Sequence, residues 1–147
     1  MKYKLIIDKE REEEIIAVVH APSELTERIE NLVNSYIGTD SMLVCNGDEM
    51  TKLGFSEIEC ITIIDRKVYA IDEKGQKYRV GGTLTEIEKI LPSYFVRINK
   101  SAIANENRIQ RFNTVYSGAV DAVFRCGYKE YVSRRCFREI KRRLLGK

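Results

Sequence analysis

The residues best suited to chemistry in this 147-residue chain are basic side chains grouped in three short segments, 65–67, 97–101 and 133–138. Each segment combines Arg or Lys with Asp, Asn or Ser. Arg and Lys can donate hydrogen bonds to guanine edges or to phosphate, and Asn can pair with adenine. These residue types predict contacts with an anionic partner.

Segment 97–101 is the densest of the three. Arg97, Asn99, Lys100 and Ser101 crowd the end of a predicted strand and the loop after it. On residue types alone, an ordinary solvated strand end explains them equally well. Nucleic-acid contact and simple solvation therefore both stay open for this segment.

Segment 133–138 opens a predicted helix. If Ser133 caps that helix, Arg134 and Arg135 lie in its first turn, where cations oppose the helix dipole at roughly 0.3–1 kcal/mol each. A phosphate there would reverse the sign, because the free N–H groups and the guanidinium groups both attract it. Arg138 and Lys141 follow on a basic face, which we interpret as positioning phosphate at most.

Segment 65–67, which is Asp65-Arg66-Lys67, lies between two predicted strands. A charged hairpin tip is the ordinary interpretation of such a segment, and alone it predicts little.

The motifs of the common enzyme and metal classes are missing. The sequence contains no GxxxxGK[ST], GxGxxG or HExxH motif. It has a single histidine, His20, and four cysteines without CxxC spacing, namely Cys45, Cys60, Cys126 and Cys136. We therefore expect no enzymatic activity, cofactor, bound metal or small-molecule substrate.

The amino-acid composition further restricts the class of protein. With 44% hydrophobic and 32% charged residues, the chain is expected to be globular. Its apolar runs are too short to span a bilayer, and the N-terminus lacks the features of a signal peptide. We therefore predict a cytoplasmic protein.

Charge divides the chain in two. Residues 1–54 carry 6 basic and 11 acidic side chains, a net charge of −5, and residues 55–147 carry 19 and 11, a net charge of +8. The overall +3 is thus a cancellation. An asymmetry of this size predicts two units, the second with an anionic partner.

The first unit, residues 1–54, reads as a small β-β-α-β module. We predict strands over 2–8 and 15–20, a helix from 24 to about 37 capped by Ser23, and a strand over 41–45. A unit of about 50 residues is marginal alone, so docking or dimerisation is expected.

The second unit, residues 55–147, reads as β-dominated with short helices, which makes the whole chain α+β. The predicted strands and hairpins cover 58–64, 67–72, 76–80, 95–99 and 115–132. Thr83 and Glu86 predict a capping box for a helix over 84–91, and a final helix is predicted from 133 to about 145.

The order of these elements resembles a known family. Phe95-x-Arg97-x-x-x-Ser101-x-x-x-Asn105, followed by Ile109, resembles the central signature of LytTR-type DNA-binding domains. The capped helix before it and segment 132–135 after it occupy the places that the family would give them. The resemblance covers roughly residues 55–147.

This resemblance implies a bacterial transcription regulator that inserts loops into successive major grooves, usually at paired direct repeats. By position, the base-contacting candidates are Arg66 or Lys67, then Asn99 and Lys100, then Arg134. Family members often have His where this chain has Asn99. The full predicted DNA-binding set is Arg66, Lys67, Arg97, Asn99, Lys100, Ser101, Asn105, Ser133, Arg134, Arg135, Arg138 and Lys141.

The N-terminal unit is too short for the receiver domain that many members carry. The chain resembles instead the short stand-alone members, some of which are restrained by a membrane protein encoded nearby. Residues 1–54 would then serve homodimerisation or the docking of a membrane-bound inhibitor.

Two other functions remain as alternatives. The basic face could bind an acidic protein or a membrane surface, although Asn99 and Ser101 are not required for a purely electrostatic surface. RNA binding is less favoured, because Phe95, Tyr116 and Phe124 occupy core-like positions rather than an exposed stacking platform.

Overall fold

Strands dominate the computed structural model, which describes residues 1–37, 40–114 and 118–145. The described helices are α1 (Glu24–Ile37), α2 (Leu84–Ile90) and α3 (Arg134–Leu144). The described strands are β1 (Ser41–Asn46), β2 (Glu49–Gly54), β3 (Ile58–Ile64), β4 (Lys67–Asp72), β5 (Lys77–Val80), β6 (Phe95–Asn99), β7 (Ala102–Asn105), β8 (Ile109–Thr114), β9 (Val120–Phe124) and β10 (Lys129–Val132). The predicted mixture of strands and short helices is confirmed.

The strands form two antiparallel sheets. Sheet A has the order β2-β1-β5-β4-β3-β7-β6, and sheet B has the order β10-β9-β8. Because antiparallel neighbours are joined by short turns, the β3–β4 turn and the β6–β7 turn lie at the same end of sheet A, with β7 paired to β3.

Sheet A is the middle layer of the molecule. On one face, Leu84 and Ile87 of α2 pack in a core cluster that also contains Ile61 of β3. On the other face, sheet B and α3 contribute Phe124 and Ile140 to a second cluster. Alternation along each strand sends successive side chains to these two cores.

The sheet also crosses the predicted boundary between the two units. Cys45 of β1 pairs with Arg79 of β5, and Val44 and Leu53 belong to the same core cluster as α2. The predicted boundary between residues 54 and 55 therefore falls inside one sheet and one core.

The two strands predicted over 2–8 and 15–20 are not formed. Both segments are exposed along their whole length, and neither has a sheet partner in the described part of the chain. A strand needs a neighbour for its backbone N–H and C=O groups, and the sequence pattern alone does not supply one. The predicted helix is confirmed as α1, while its predicted C-terminal cap, Gly38, lies outside the described residues.

Helix α1 attaches to the sheet at the end remote from the β6–β7 turn. The carboxylate of Glu30 accepts hydrogen bonds from the backbone N–H and the hydroxyl of Ser93, at 2.6 and 2.5 Å. The Tyr94 hydroxyl donates to Oδ1 of Asn31 at 2.9 Å. Both contacts lie just before β6 begins, so the acidic helix is held away from the turn at the other end of that strand.

Candidate nucleic-acid interface

Backbone hydrogen bonds bring the three basic segments together at one end of sheet A. The N–H of Ile63 donates to the carbonyl of Ser101 at 2.9 Å, which joins β3 to the β6–β7 turn. The N–H of Ser133 donates to the carbonyl of Ile98 at 2.8 Å, which joins the start of α3 to the end of β6. We call the surface formed by residues 65–67, 99–101 and 133–135 the basic end.

The β3–β4 turn is backbone-strained. Its two central residues, Asp65 and Arg66, have φ angles of 50° and 68°, the left-handed region that favours glycine. Arg66 and the next residue, Lys67, are exposed. A long cation held in an unfavourable conformation at a hairpin tip is the kind of outlier that a functional constraint explains.

Arg97 shapes the β6–β7 turn from within. Its Nε donates to the carbonyl of Asn99 at 3.0 Å, its Nη2 donates to the carbonyl of Lys100 at 2.9 Å, and its Nη1 pairs with Glu88 of α2. Because the guanidinium is used inside the protein, Arg97 positions the turn. Lys100 is left exposed at its tip.

Asn99 ties the same turn to sheet B. Its Nδ2 donates to the carbonyl of Tyr131 at 2.6 Å and to Oε1 of Glu130 at 3.3 Å. Its Oδ1 accepts the N–H of Ser101 at 2.6 Å. With both ends of the amide engaged, Asn99 fixes the loop, and the half-buried Ser101 is held by its backbone.

Two residues behind Asn99 were missed at the sequence level. The hydroxyl of Tyr128 donates to Oε2 of Glu130 at 2.5 Å, which orients the carboxylate toward Asn99. Burial, together with the Glu130 carboxylate, raises the pKa of Tyr128, so the hydroxyl remains a donor. The sequence signal that could have identified Tyr128 and Glu130 is their i, i+2 spacing, which puts them on one face of an extended segment.

Asn105 was predicted to contact DNA, and the structure gives it a different role. Its side chain is 1% exposed. Nδ2 donates to the carbonyl of Ile58 at 2.9 Å, and Oδ1 accepts the N–H of Asn107 at 3.0 Å. Asn105 therefore holds β3 and caps the turn that follows β7.

The start of α3 has the predicted cap and an unfavourable charge. Oγ of Ser133 accepts the N–H of Cys136 at 3.2 Å. The first turn contains no acidic residue, and both Arg134 and Arg135 are exposed. Cations at this position destabilise an isolated helix, whereas a bound anion would be attracted by the arginines and by the helix N-terminus together.

Helix α3 then runs away from the basic end. Near its other terminus, Nη2 of Arg143 donates to the carbonyl of Ser93 at 3.2 Å and lies 3.1 Å from Oε2 of Glu106. Burial raises the pKa of Glu106, and the Arg143 guanidinium opposes that shift. The helix is thus anchored at both ends against the sheet.

Arg138 and Lys141 lie along the exposed part of α3. Nζ of Lys141 lies 5.5 Å from the centre of the Phe137 ring. At 1.5 Å rise per residue, Lys141 is roughly 10 Å from Arg134 along the helix axis. These two cations are therefore set back from the basic end.

Some exposed cations have no acidic partner, unlike the arginines that pair with carboxylates inside the fold. Five of them form no ion pair with an acidic side chain within residues 1–37, 40–114 and 118–145, namely Arg66, Lys67, Lys100, Arg135 and Arg138. Uncompensated positive charge on adjacent loops attracts a polyanion.

A further cation near the basic end was missed. Arg79 lies opposite Tyr69 across β4 and β5, with its guanidinium carbon 5.7 Å from the ring centre. At about 3.3 Å per residue, it is roughly 10 Å from the β3–β4 tip. The sequence signal that could have identified Arg79 is the alternation of segment 77–80, which places this residue on the outward face.

Among the described residues, no group of three or more His, Cys, Asp or Glu side chains could hold a metal ion. None of the described helices is long and apolar enough to cross a membrane.

Known proteins share both the sequence pattern and the fold. A family model described as the LytTr DNA-binding domain matches residues 48–145. Two Staphylococcus aureus proteins, from strains MSSA476 and NCTC 8325, are each 29% identical over 147 residues and aligned over 98% of both chains. Both are named as uncharacterized HTH-type transcriptional regulators.

A solved structure is similar as well. The LytTr DNA-binding domain of a Bacillus cereus protein superposes with a TM-score of 0.64 at 24% sequence identity, over 74% of this chain and 98% of that one. A helix-turn-helix joins two helices by a short turn. In this chain, by contrast, the five strands β6 to β10 separate α2 from α3.

Proposed function

The chain belongs to the LytTr DNA-binding domain family, and on that premise we propose that it is a sequence-specific transcription regulator that reads double-stranded DNA with its basic end. The observation that carries this proposal is the convergence of two hairpin turns and one helix start, joined by the hydrogen bonds of Ile63 and Ser133. The family is one of DNA-binding regulators and not of enzymes.

The spacing of the turns suits a DNA groove. Neighbouring strands lie about 4.8 Å apart, so the tips of the β3–β4 and β6–β7 hairpins, which share the β3–β7 pair, are separated by roughly 10 Å. The major groove is about 12 Å wide. We assign base contacts to Arg66 or Lys67, to Lys100 and to Arg134.

The remaining predicted residues take supporting parts. We assign phosphate contacts to the cations at the start of α3 and along it, namely Arg135, Arg138 and Lys141. Arg97 and Asn99 hold the β6–β7 turn in place, and the hydroxyls of Ser101 and Ser133 lie beside the proposed DNA path.

We also propose that a protein partner binds at the end of the molecule remote from the basic end. Helix α1 is docked remote from the basic end, so a protein bound there leaves the DNA-contacting loops clear. We propose a homodimer acting in the cytoplasm on paired repeats, with a membrane-bound inhibitor protein as the other candidate partner for this region.

Selection of bound sites from a random double-stranded DNA pool tests the proposal. We expect one repeated motif to be enriched. In a mobility shift assay, the complex with that motif should persist in an excess of unrelated competitor DNA. If no motif is enriched and the competitor removes all binding, the basic end is a general anion-binding surface. An acidic protein or a membrane surface would then be the better candidate partner.

Replacing Arg66 in the strained β3–β4 turn by glycine is expected to raise folding stability and to lower DNA affinity. Arg66→Gly removes a left-handed penalty of roughly 1–2 kcal/mol and adds unfolded-state entropy worth about 0.4–1 kcal/mol. We expect a net stabilisation of about 0.5–1 kcal/mol in thermal unfolding. Affinity for the selected DNA should fall at the same time, because a cation is lost from the tip.

Asp65→Gly is the matched control for that variant. It relieves the same kind of backbone strain at φ 50° and removes an acid instead of a base. DNA affinity should therefore stay level or rise. Equal loss of affinity in both variants would show that turn shape, and not the Arg66 cation, matters.

A further inference from the structure

We propose that residues 2–8 of two copies pair as antiparallel strands around Leu5, which makes the chain a two-fold dimer through its N-terminal arm, residues 1–22. This inference deepens the homodimer part of the proposed function and names the surface that makes it. The two strands predicted from the sequence would then form on association, with the second copy supplying the missing neighbour of residues 2–8.

The arm exposes far more apolar surface than a monomer normally leaves in water. Eight large apolar side chains of the arm are exposed by 43% to 92%. They are Tyr3, Leu5, Ile6, Ile7, Ile15, Ile16, Val18 and Val19. Burying one such side chain removes roughly 60–120 Å² from water, so together they can supply roughly 500–1,000 Å². A stable interface uses about 800 Å² from each partner.

The backbone of the arm also lies outside both of the described sheets. Residues 1–8 and 12–19 form no strand within the described chain, and residues 9–11 form a turn between them. Oδ1 of Asp8 accepts the N–H of Glu10 at 3.0 Å, and Arg11 pairs with Glu14 at 2.7 Å, which stabilise that turn. Unpaired backbone beside apolar side chains is a template for strand pairing with another chain.

The sequence of residues 2–8 is complementary to itself. In an antiparallel pair centred on Leu5, Lys2 of one copy lies opposite Asp8 of the other, and this ion pair occurs at both ends. Tyr3 lies opposite Ile7 on the same face as Leu5, so that face is wholly apolar. A two-fold interface requires such self-complementarity.

Residues 15–20 cannot set this register, because they are almost entirely apolar and a slip costs them little. We place them as the outer strand, folded back on residues 2–8 through the turn at 9–11. The arm carries four basic and five acidic side chains over residues 1–20. Mixed charges of nearly equal number fit a second copy better than an anionic lipid surface, which would repel the acids at 12–14.

Charge reversal across the proposed pair tests the inference, with sedimentation equilibrium of the full-length chain without DNA as the measurement. Lys2→Glu and Asp8→Lys should each raise the dimer dissociation constant about tenfold, because each puts like charges face to face at both ends. The double variant should return to within about threefold of the wild type, since it restores opposite charges. Leu5→Asp should weaken the dimer most.

Glu13→Lys is the matched control, a charge reversal on the same arm outside the pairing segment, and should leave the dissociation constant unchanged. Because the arm is exposed in a single copy, all variants should unfold at the wild-type temperature at concentrations where every chain is monomeric. A monomeric wild type at about 100 µM, or a double variant as weak as the single ones, overturns the proposed pairing.

The same samples separate this inference from the proposed function. A monomer that still binds the selected DNA specifically removes the arm pairing and leaves DNA recognition intact. A dimer that fails to discriminate between DNA sequences does the reverse.

Discussion

Replacing Lys100 by alanine is expected to weaken binding to the selected DNA by roughly 5- to 150-fold, the range for one base contact of about 1–3 kcal/mol. Binding to unrelated DNA should fall only a few-fold. Arg97 and Asn99 hold the turn through its backbone carbonyls and N–H groups, so the Lys100 side chain can be removed without moving the loop. Titrations on selected and unrelated duplexes measure both losses.

Two matched variants sharpen that result. Lys74→Ala removes an exposed lysine from the β4–β5 turn, at the opposite end of sheet A, and should change neither affinity. Lys141→Ala, on α3, should weaken selected and unrelated DNA alike. If Lys100→Ala also weakened both duplexes equally, the division into base-contacting and phosphate-contacting residues would be wrong.

Replacing Arg108 by alanine is expected to cost about 3–5 kcal/mol of folding stability, the range for breaking a buried ion pair. Its partner Glu59 is fully buried, and Oε2 of that carboxylate lies 3.5 Å from Nε of Arg108. In the described part of the chain this oxygen accepts no hydrogen bond. Arg108 also donates to the carbonyl of Ser56 at 2.7 Å and lies 3.4 Å from Glu73.

The buried carboxylate matters for the basic end. Oε1 of Glu59 accepts the N–H of Cys126 at 2.9 Å, which ties β3 to the β9–β10 turn. Strand β10 leads into α3, so Glu59 and Arg108 help to fix the sheet that positions Arg134.

Chemical denaturation measures the effect. Arg142→Ala, which removes the exposed pair with Glu139, is the control and should cost no more than about 1 kcal/mol. Adding Glu59→Gln to Arg108→Ala should recover part of the loss, because no unpaired charge is then buried. Equal costs for Arg108→Ala and Arg142→Ala would show that the buried pair does not stabilise the fold.

The sequence predicted the elements whose signal is local. Strands β3 and β4 combine β-branched residues with alternation, and they match the predicted 58–64 and 67–72. Thr83 and Ser133 cap their helices as predicted, with hydrogen bonds from Glu86 and Cys136. Such signals depend on neighbours a few residues away, so a single sequence contains them.

Elements that depend on distant partners were not predictable in this way. Strand β2 was missed because it is an edge strand whose side chains are mostly exposed, which leaves no alternation to detect. The predicted hairpin over 115–132 is present as β9 and β10, with residues 115–117 outside the described chain, and β8 was missed. The predicted strands over 2–8 and 15–20 have the right pattern and lack a neighbour in one copy.

The roles of side chains were likewise predictable where they depend on local features and not where they depend on distant partners. Asn99 and Asn105 were both predicted as DNA contacts from residue type and position. Their hydrogen-bond partners lie more than 30 residues away, at Tyr131 and Ile58, and only the fold brings them together. Exposed cations such as Lys100 need no such partner, which is why charge and spacing alone could point to them.

The salt dependence of binding to the selected DNA tests the central proposal, recognition of DNA by the basic end together with the exposed face of α3, most directly. Counterion release gives a log–log slope of about −0.9 for each phosphate neutralised. With Arg135, Arg138 and Lys141 on phosphate, we predict a slope of about −2.7 per copy, which Lys141→Ala should reduce by about 0.9. A slope near zero, unchanged in that variant, would contradict DNA binding through this surface.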